Sequence, residues 1–210
     1  MTCRMSSGSG DGLARRHENT KEESLIFQRL RVFVPSCEPK PMRAGVALGS
    51  NLGDRLGHLR EARTRLLSLH DGSGPFLCSK IYETTPVDCP HGSQPFFNAA
   101  IELSTKAPPL NLLADLLRIE IESGRPQKHE FHGPRSLDLD LLYYGNLQVS
   151  LDTLTLPHSG ISSRVFVLKP LADICPERVL PNRDRSVRGL RDSLESASGS
   201  ANSVKYVSYF

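Results

Sequence analysis

The stretch Gly133-Pro134-Arg135-Ser136-Leu137-Asp138-Leu139-Asp140-Leu141-Leu142-Tyr143-Tyr144 constrains this chain more than any other. From Leu137 onward it alternates apolar and acidic residues, the period of a strand. One strand face then carries Asp138 and Asp140, and the other carries Leu137, Leu139 and Leu141 for a core to cover. Aspartates at i and i+2 stand roughly 7 Å apart at Cα, close enough for both carboxylates to converge on divalent cations. Oxygen-only ligation suits Mg²⁺, which typically takes one or two carboxylates and fills its remaining positions with substrate phosphate. A solvent-facing strand with acidic outer positions would show the same alternation. The Gly-Pro-Arg directly ahead favours the metal reading, because a turn there aims a phosphate-binding guanidinium at the two carboxylates.

Composition narrows the class. The chain has 210 residues with a formal net charge of +3, too small to argue for nucleic acid or an anionic membrane. No apolar run is long enough to span a bilayer. The five cysteines (Cys3, Cys37, Cys78, Cys89 and Cys175) are scattered and never in C-x-x-C spacing. Neither a disulfide framework nor a zinc site is expected, and a cytoplasmic protein with reduced thiols is. Met1–Asn19 lacks an apolar period, and Ser24–Val34 has some apolar character but is closed off by Pro35, Pro39 and Pro41. Residues 1–41 are expected to be a disordered extension, or Met42 is the true start. A main domain is expected over 42–185 and a C-terminal helix and tail over 186–210.

In order, Ala44–Leu48 reads as a strand running into the turn cluster Gly49-Ser50-Asn51-Leu52-Gly53-Asp54. Asp54 is a good N-cap for a helix with Leu56, Leu59, Ala62, Leu66 and Leu69 on one side. That turn lacks the Walker lysine and G-x-G-x-x-G, so it reads first as structural. Phe76–Glu83 reads as one strand and Thr84–Pro95 as a loop. Phe96–Ser104 is a strand with Phe97, Ala99, Ile101 and Leu103 on one face, and Phe96, Asn98 and Ala100 on the other. Phe96 beside Asn98 can hold a flat heterocycle by stacking and paired hydrogen bonds, although from the residues alone core packing is the simpler role for Phe96. Pro108-Pro109 opens a helix with a stripe of Leu112, Leu113, Leu116, Leu117 and Ile121, and Gly124 ends it. A polar loop over 124–135 follows. Arg164 to Ile174 and Ser186 to Leu194 read as helices, and Asn202–Phe210 as a polar-aromatic tail with no assigned role.

The blocks Ala47–Asp54, Tyr82–Pro86, Phe97–Ala100, Gly133–Asp140, Leu156-Pro157-His158 and Arg164–Leu168, in that order and spacing, resemble 6-hydroxymethyl-7,8-dihydropterin pyrophosphokinases of folate biosynthesis. The likeness covers about residues 43–180. It implies a ferredoxin-like α+β sandwich with a central antiparallel sheet flanked by helices. It also implies an ATP-dependent transfer of pyrophosphate to a dihydropterin hydroxymethyl group, with two Mg²⁺ ions bound by Asp138 and Asp140. By the same resemblance Arg125 and Arg135 contact phosphate and, with the aspartates, carry the catalysis. Glu120, Leu141, Thr155, His158 and Arg164 join them around ATP. Thr84, Val87, Phe96, Asn98 and Phe166 match the pterin pocket, with Phe96 and Phe166 as its two rings, and here stacking overtakes core packing for Phe96. Gln127, Phe131-His132, Thr153 and Ser159 depart from the family pattern, and a weaker hold on ATP is expected from them. The expected partners are the two small substrates, with no nucleic acid, no membrane and a monomeric state. The alternatives are a binding module of the same fold without turnover and a nucleic-acid-binding sandwich. The retained Asp138, Asp140 and Arg135 speak against the first, and the low charge against the second.

Overall fold

The computed structural model describes residues 40–85, 94–124, 135–198 and 204–210. Strand β1 (Met42–Ser50) is extended at both ends relative to the sequence expectation, because Thr105 through Phe97 pair along its whole length. The turn that follows folds as its residues dictate. Gly53 takes φ +65°, a conformation that favours glycine. Asp54 caps helix α1 (Arg55–Ser68) by accepting from the Gly57 N–H at 2.9 Å. Leu59, Ala62 and Leu66 form the buried side of α1.

The single strand expected over Phe76–Glu83 is two short ones, β2 (Leu77–Cys78) and β3 (Ile81–Thr84). Both pair with β4 (Phe96–Thr105), Cys78 opposite Ile101 and Tyr82 opposite Asn98, so the first side carries one extra residue. Ser79 forms this bulge: its N–H donates to the Ala100 carbonyl and its hydroxyl accepts from the Ala100 N–H. Helix α2 (Pro109–Glu122) ends at Gly124 with φ +87°. Its buried residues are Leu112, Leu116, Ile119 and Glu120, whereas Leu117 and Ile121 of the expected stripe are exposed. The helix presents the i, i+4, i+7 row to the sheet, which rotates 117 and 121 outward.

Strand β5 (Asp138–Tyr144) lies on the other side of β1, and all pairings are antiparallel. The spatial order β5-β1-β4-β3, with α1 and α2 as the crossovers, is the ferredoxin-like βαββαβ arrangement. A second ribbon, β6 (Val149–Ser150) with β7 (Thr155–Leu156), leads to Pro157 and His158. Helices α3 (Val165–Ile174) and α4 (Val187–Ser198) follow. The C-terminal tail then supplies strand β8 (Val204–Ser208), which pairs antiparallel with β3 and completes a six-stranded sheet. The chain from Glu38 to Phe210 is thus one compact unit that takes in the C-terminal helix and strand.

Each sheet face has its own core. Val46, Leu48, Ala99, Ile101, Leu103, Leu139 and Leu141 pack against α1 and α2. Ala100, Leu142 and Tyr143 pack against Val167, Leu168, Leu171 and Val187 of α3 and α4. The alternation read from the sequence holds on β4 and on the first half of β5. It breaks at a register shift opposite Gly45/Val46, which turns both Leu142 and Tyr143 to the second face. No helix among the described residues is long and apolar enough to cross a membrane.

Candidate active site

One end of the sheet gathers the polar residues, on the face that carries α3. There Gly49 of β1 stands between its two cross-strand partners, Asn98 of β4 and Asp138 of β5. A Cβ built on Gly49 would lie 3.5 Å from Asn98 Oδ1, 3.7 Å from Asp138 Cβ and 3.9 Å from Phe96 Cδ1. The glycine therefore leaves a gap floored by backbone and walled by an amide, a carboxylate and an aromatic ring. Thr84, the cross-strand partner of Phe96, completes that wall. Its hydroxyl accepts from Asn98 Nδ2 at 2.8 Å, which holds the amide with Oδ1 toward the gap. Phe96 is half-buried and belongs to neither core, whereas its neighbour Phe97 packs against the α1/α2 core.

Asp138 and Asp140 share this face and are both half-buried, while Leu137, Leu139 and Leu141 are buried against the helices behind. Arg135 donates through Nη1 to Asp138 Oδ2 at 2.8 Å. Burial raises the Asp140 pKa from its ordinary value, and the Asp138 carboxylate raises it further. His158, Arg164 and Arg135 act in the opposite direction, so three basic side chains surround the acidic pair. His158 is fixed there by its N–H, which donates to the Leu142 carbonyl at 2.8 Å. Arg164 precedes α3 and lies 5.8 Å from the ring of Phe166, which is half-buried at the same helix end.

Other sequence-derived positions fall in different surroundings. Glu120 is buried, and its Oε1 accepts from the Leu139 N–H at 2.6 Å, so it anchors β5 between the two aspartates from behind. The Leu141 side chain is core, which leaves its main chain as the part that can meet a nucleotide. Thr155 is exposed on β7. Arg125 and Val87, together with Gln127, Phe131 and His132 and the extension over 1–39, lie outside the described residues.

The residues alone had not singled out Asn51 or Arg55. Asn51 is buried and clasps Arg135 from both sides: Oδ1 accepts the Arg135 N–H at 2.8 Å, and the Asn51 N–H donates to the Arg135 carbonyl at 3.1 Å. The Gly49–Asp54 turn was the available signal, and it is both a structural turn and part of the site. Among the described residues no group of three or more acidic, histidine or cysteine side chains gathers to close a metal site. Two carboxylates fit a hard cation that completes its ligand set with substrate phosphate, and do not fit a closed structural centre.

The family model for 7,8-dihydro-6-hydroxymethylpterin-pyrophosphokinase (HPPK) matches residues 45–176. The 2-amino-4-hydroxy-6-hydroxymethyldihydropteridine pyrophosphokinase of Bacillus subtilis is 41% identical over 134 residues, covering 64% of this chain and 78% of that protein. The mitochondrial folate synthesis bifunctional protein of Pisum sativum is 44% identical over 134 residues, covering 61% of this chain. The chain spans only 24% of that pea protein's length. In fold it is similar to Plasmodium falciparum HPPK-DHPS, with a TM-score of 0.60 at 16% identity over 80% of this chain and 48% of that one.

Proposed function

This chain belongs to the 7,8-dihydro-6-hydroxymethylpterin-pyrophosphokinase family, and from that membership we propose that it transfers pyrophosphate from ATP to 6-hydroxymethyl-7,8-dihydropterin in folate synthesis, with release of AMP. The observation that carries the reading is the row Asn98–Gly49–Asp138 across three strands, with Phe96 and Thr84 beside the amide and Arg135 on the carboxylate. A flat heterocycle fits one end of that row and a metal-bound phosphate the other.

In this reading the pterin lies against Phe96 and Phe166. Asn98 Oδ1 accepts from its N–H edge, with Thr84 holding the amide in that orientation. The hydroxymethyl oxygen attacks the β-phosphorus of ATP, an O–P bond forms as the hydroxyl proton is lost to solvent, and the bond to the α-phosphate oxygen breaks to release AMP. Such transfers depend mainly on alignment and on cations around the phosphoryl oxygens. Arg135, Arg164 and His158 supply fixed positive charge there, and Asn51 holds the backbone of Arg135. Asp138 and Asp140 would hold two Mg²⁺ ions, which would supply the remaining charge neutralisation. Val87 and Arg125 are assigned to the pterin and phosphate ends by the family likeness. A cytoplasmic monomer acting on these two small molecules completes the proposal.

The test is AMP release from ATP with Mg²⁺ and the dihydropterin, with Asp140→Asn alongside. AMP that requires both pterin and metal, and falls at least about a hundredfold in the variant, is the expected result. Binding of ATP or pterin without AMP would reject the enzyme in favour of a binding module.

A further inference from the structure

We propose that Arg55 is a positioning residue for the pterin pocket, gripping from the opposite face of the sheet the two strand ends that form its wall. The inference rests on the pyrophosphokinase reading above and adds a residue outside the set that the family likeness assigns. Arg55 is the first residue of α1, where the Gly53 turn and the Asp54 cap fix the helix start. Its Nη1 donates to Glu83 Oε1 at 3.0 Å and to the Pro95 carbonyl at 2.7 Å. Its guanidinium carbon stands 3.8 Å from the centroid of the Phe97 ring. One planar cation thus touches the strand end before segment 86–93, the strand start after it, and the ring that pairs with Glu83 across the ladder.

The next residue along each strand is a pocket residue. Thr84 follows Glu83 and Phe96 follows Pro95, and these two are themselves cross-strand partners. Side chains alternate faces on a strand. A grip on Glu83 and Phe97 from behind therefore sets where Thr84 and Phe96 stand in front, and through Thr84 the Asn98 amide. The Arg55 and Glu83 side chains remain 26% and 34% exposed, and ion pairs so exposed contribute little. Both hydrogen bonds leave from one nitrogen while the guanidinium plane covers the Phe97 ring, and that flat face is what lysine lacks.

The experiment compares steady-state kinetics of wild type, Arg55→Met, Arg55→Lys and Glu83→Gln, with Arg65→Met as a control. Arg65 pairs with Glu61 and Glu122, away from the pocket. Arg55→Met is expected to raise KM for the dihydropterin about tenfold while kcat and KM for ATP stay within about twofold. Arg55→Lys recovers only part of this, Glu83→Gln shows a smaller rise of the same kind, and Arg65→Met shows none. The inference is overturned if Arg55→Met leaves the pterin KM unchanged, raises both KM values equally, or behaves like Arg65→Met. If Arg55→Met does not fold, Glu83→Gln decides by the same criterion. A wild-type protein that releases no AMP counts against the proposed function alone. Calorimetric binding of the dihydropterin to wild type and the same variants then decides the role of Arg55, with about tenfold weaker binding expected for Arg55→Met.

Discussion

The Asp140 carboxyl is partly withdrawn from water beside the Asp138 carboxylate, and both effects raise its pKa. A carboxyl whose folded pKa lies above its unfolded value destabilises the fold when ionised. The destabilisation is complete above the raised pKa, shrinks as pH falls through it, and is gone below the unfolded value near 3.8. Asp140→Asn stays neutral throughout. In metal-free buffer at pH 7 it is therefore expected to melt a few degrees higher than wild type, with the gap closing as the pH approaches 3.8. Thermal melts across pH 3–8 check this, and a variant that melts lower at pH 7 would contradict it. In the proposed function the same residue serves AMP release, so stability and chemistry would oppose each other there.

Among the elements, β5 joins the site to the core. Its first half presents the aspartates, and the register shift opposite Gly45 turns Tyr143 over that glycine. Tyr143 donates to buried Glu102, which Arg43 and Arg178 neutralise, while Arg178 also stands 4.0 Å over the tyrosine ring. A Cβ at position 45 would overlap the Tyr143 ring. Gly45→Ala is expected to lower stability by about 2–3 kcal/mol, read as a shifted urea midpoint with an unchanged slope. A loss under about 0.5 kcal/mol would mean that the ring moves aside freely. A second tie sits on β3, where Tyr82 donates to the Asp173 carboxylate and the Lys80 N–H reaches the same group. It fastens α3, whose first turn carries Phe166, to the strand that carries Thr84.

For the whole molecule, β8 closes the outer edge of β3. Without it, β3 would present unpaired backbone groups to solvent. Ending the chain before Val204 is expected to lower the melting temperature by a few degrees and to promote self-association with rising concentration. Light scattering coupled to size exclusion measures the second effect. A truncated protein that behaves as wild type in both would show that β8 adds nothing to the fold.

Much of this was legible along the chain. The period of two placed Asp138 and Asp140 opposite Leu137, Leu139 and Leu141, and Phe96 and Asn98 opposite Phe97 and Ala99, because strand geometry is local and alternation needs no partner to define it. Asp54, Gly53 and Gly124 fixed helix ends for the same reason. The bulge at Ser79, the exposure of Leu117 and Ile121, and the pairing of the tail with β3 depended on what stood across from each residue. So did the hold of Asn51 on Arg135 and of Arg55 on Glu83 and Pro95. Local sequence determined the alternation of faces along β4 and the first half of β5, and where the first two helices begin and end. The tertiary structure alone decided which of those faces meet, since a hydrogen bond between residues distant in sequence exists only once the chain between them has folded.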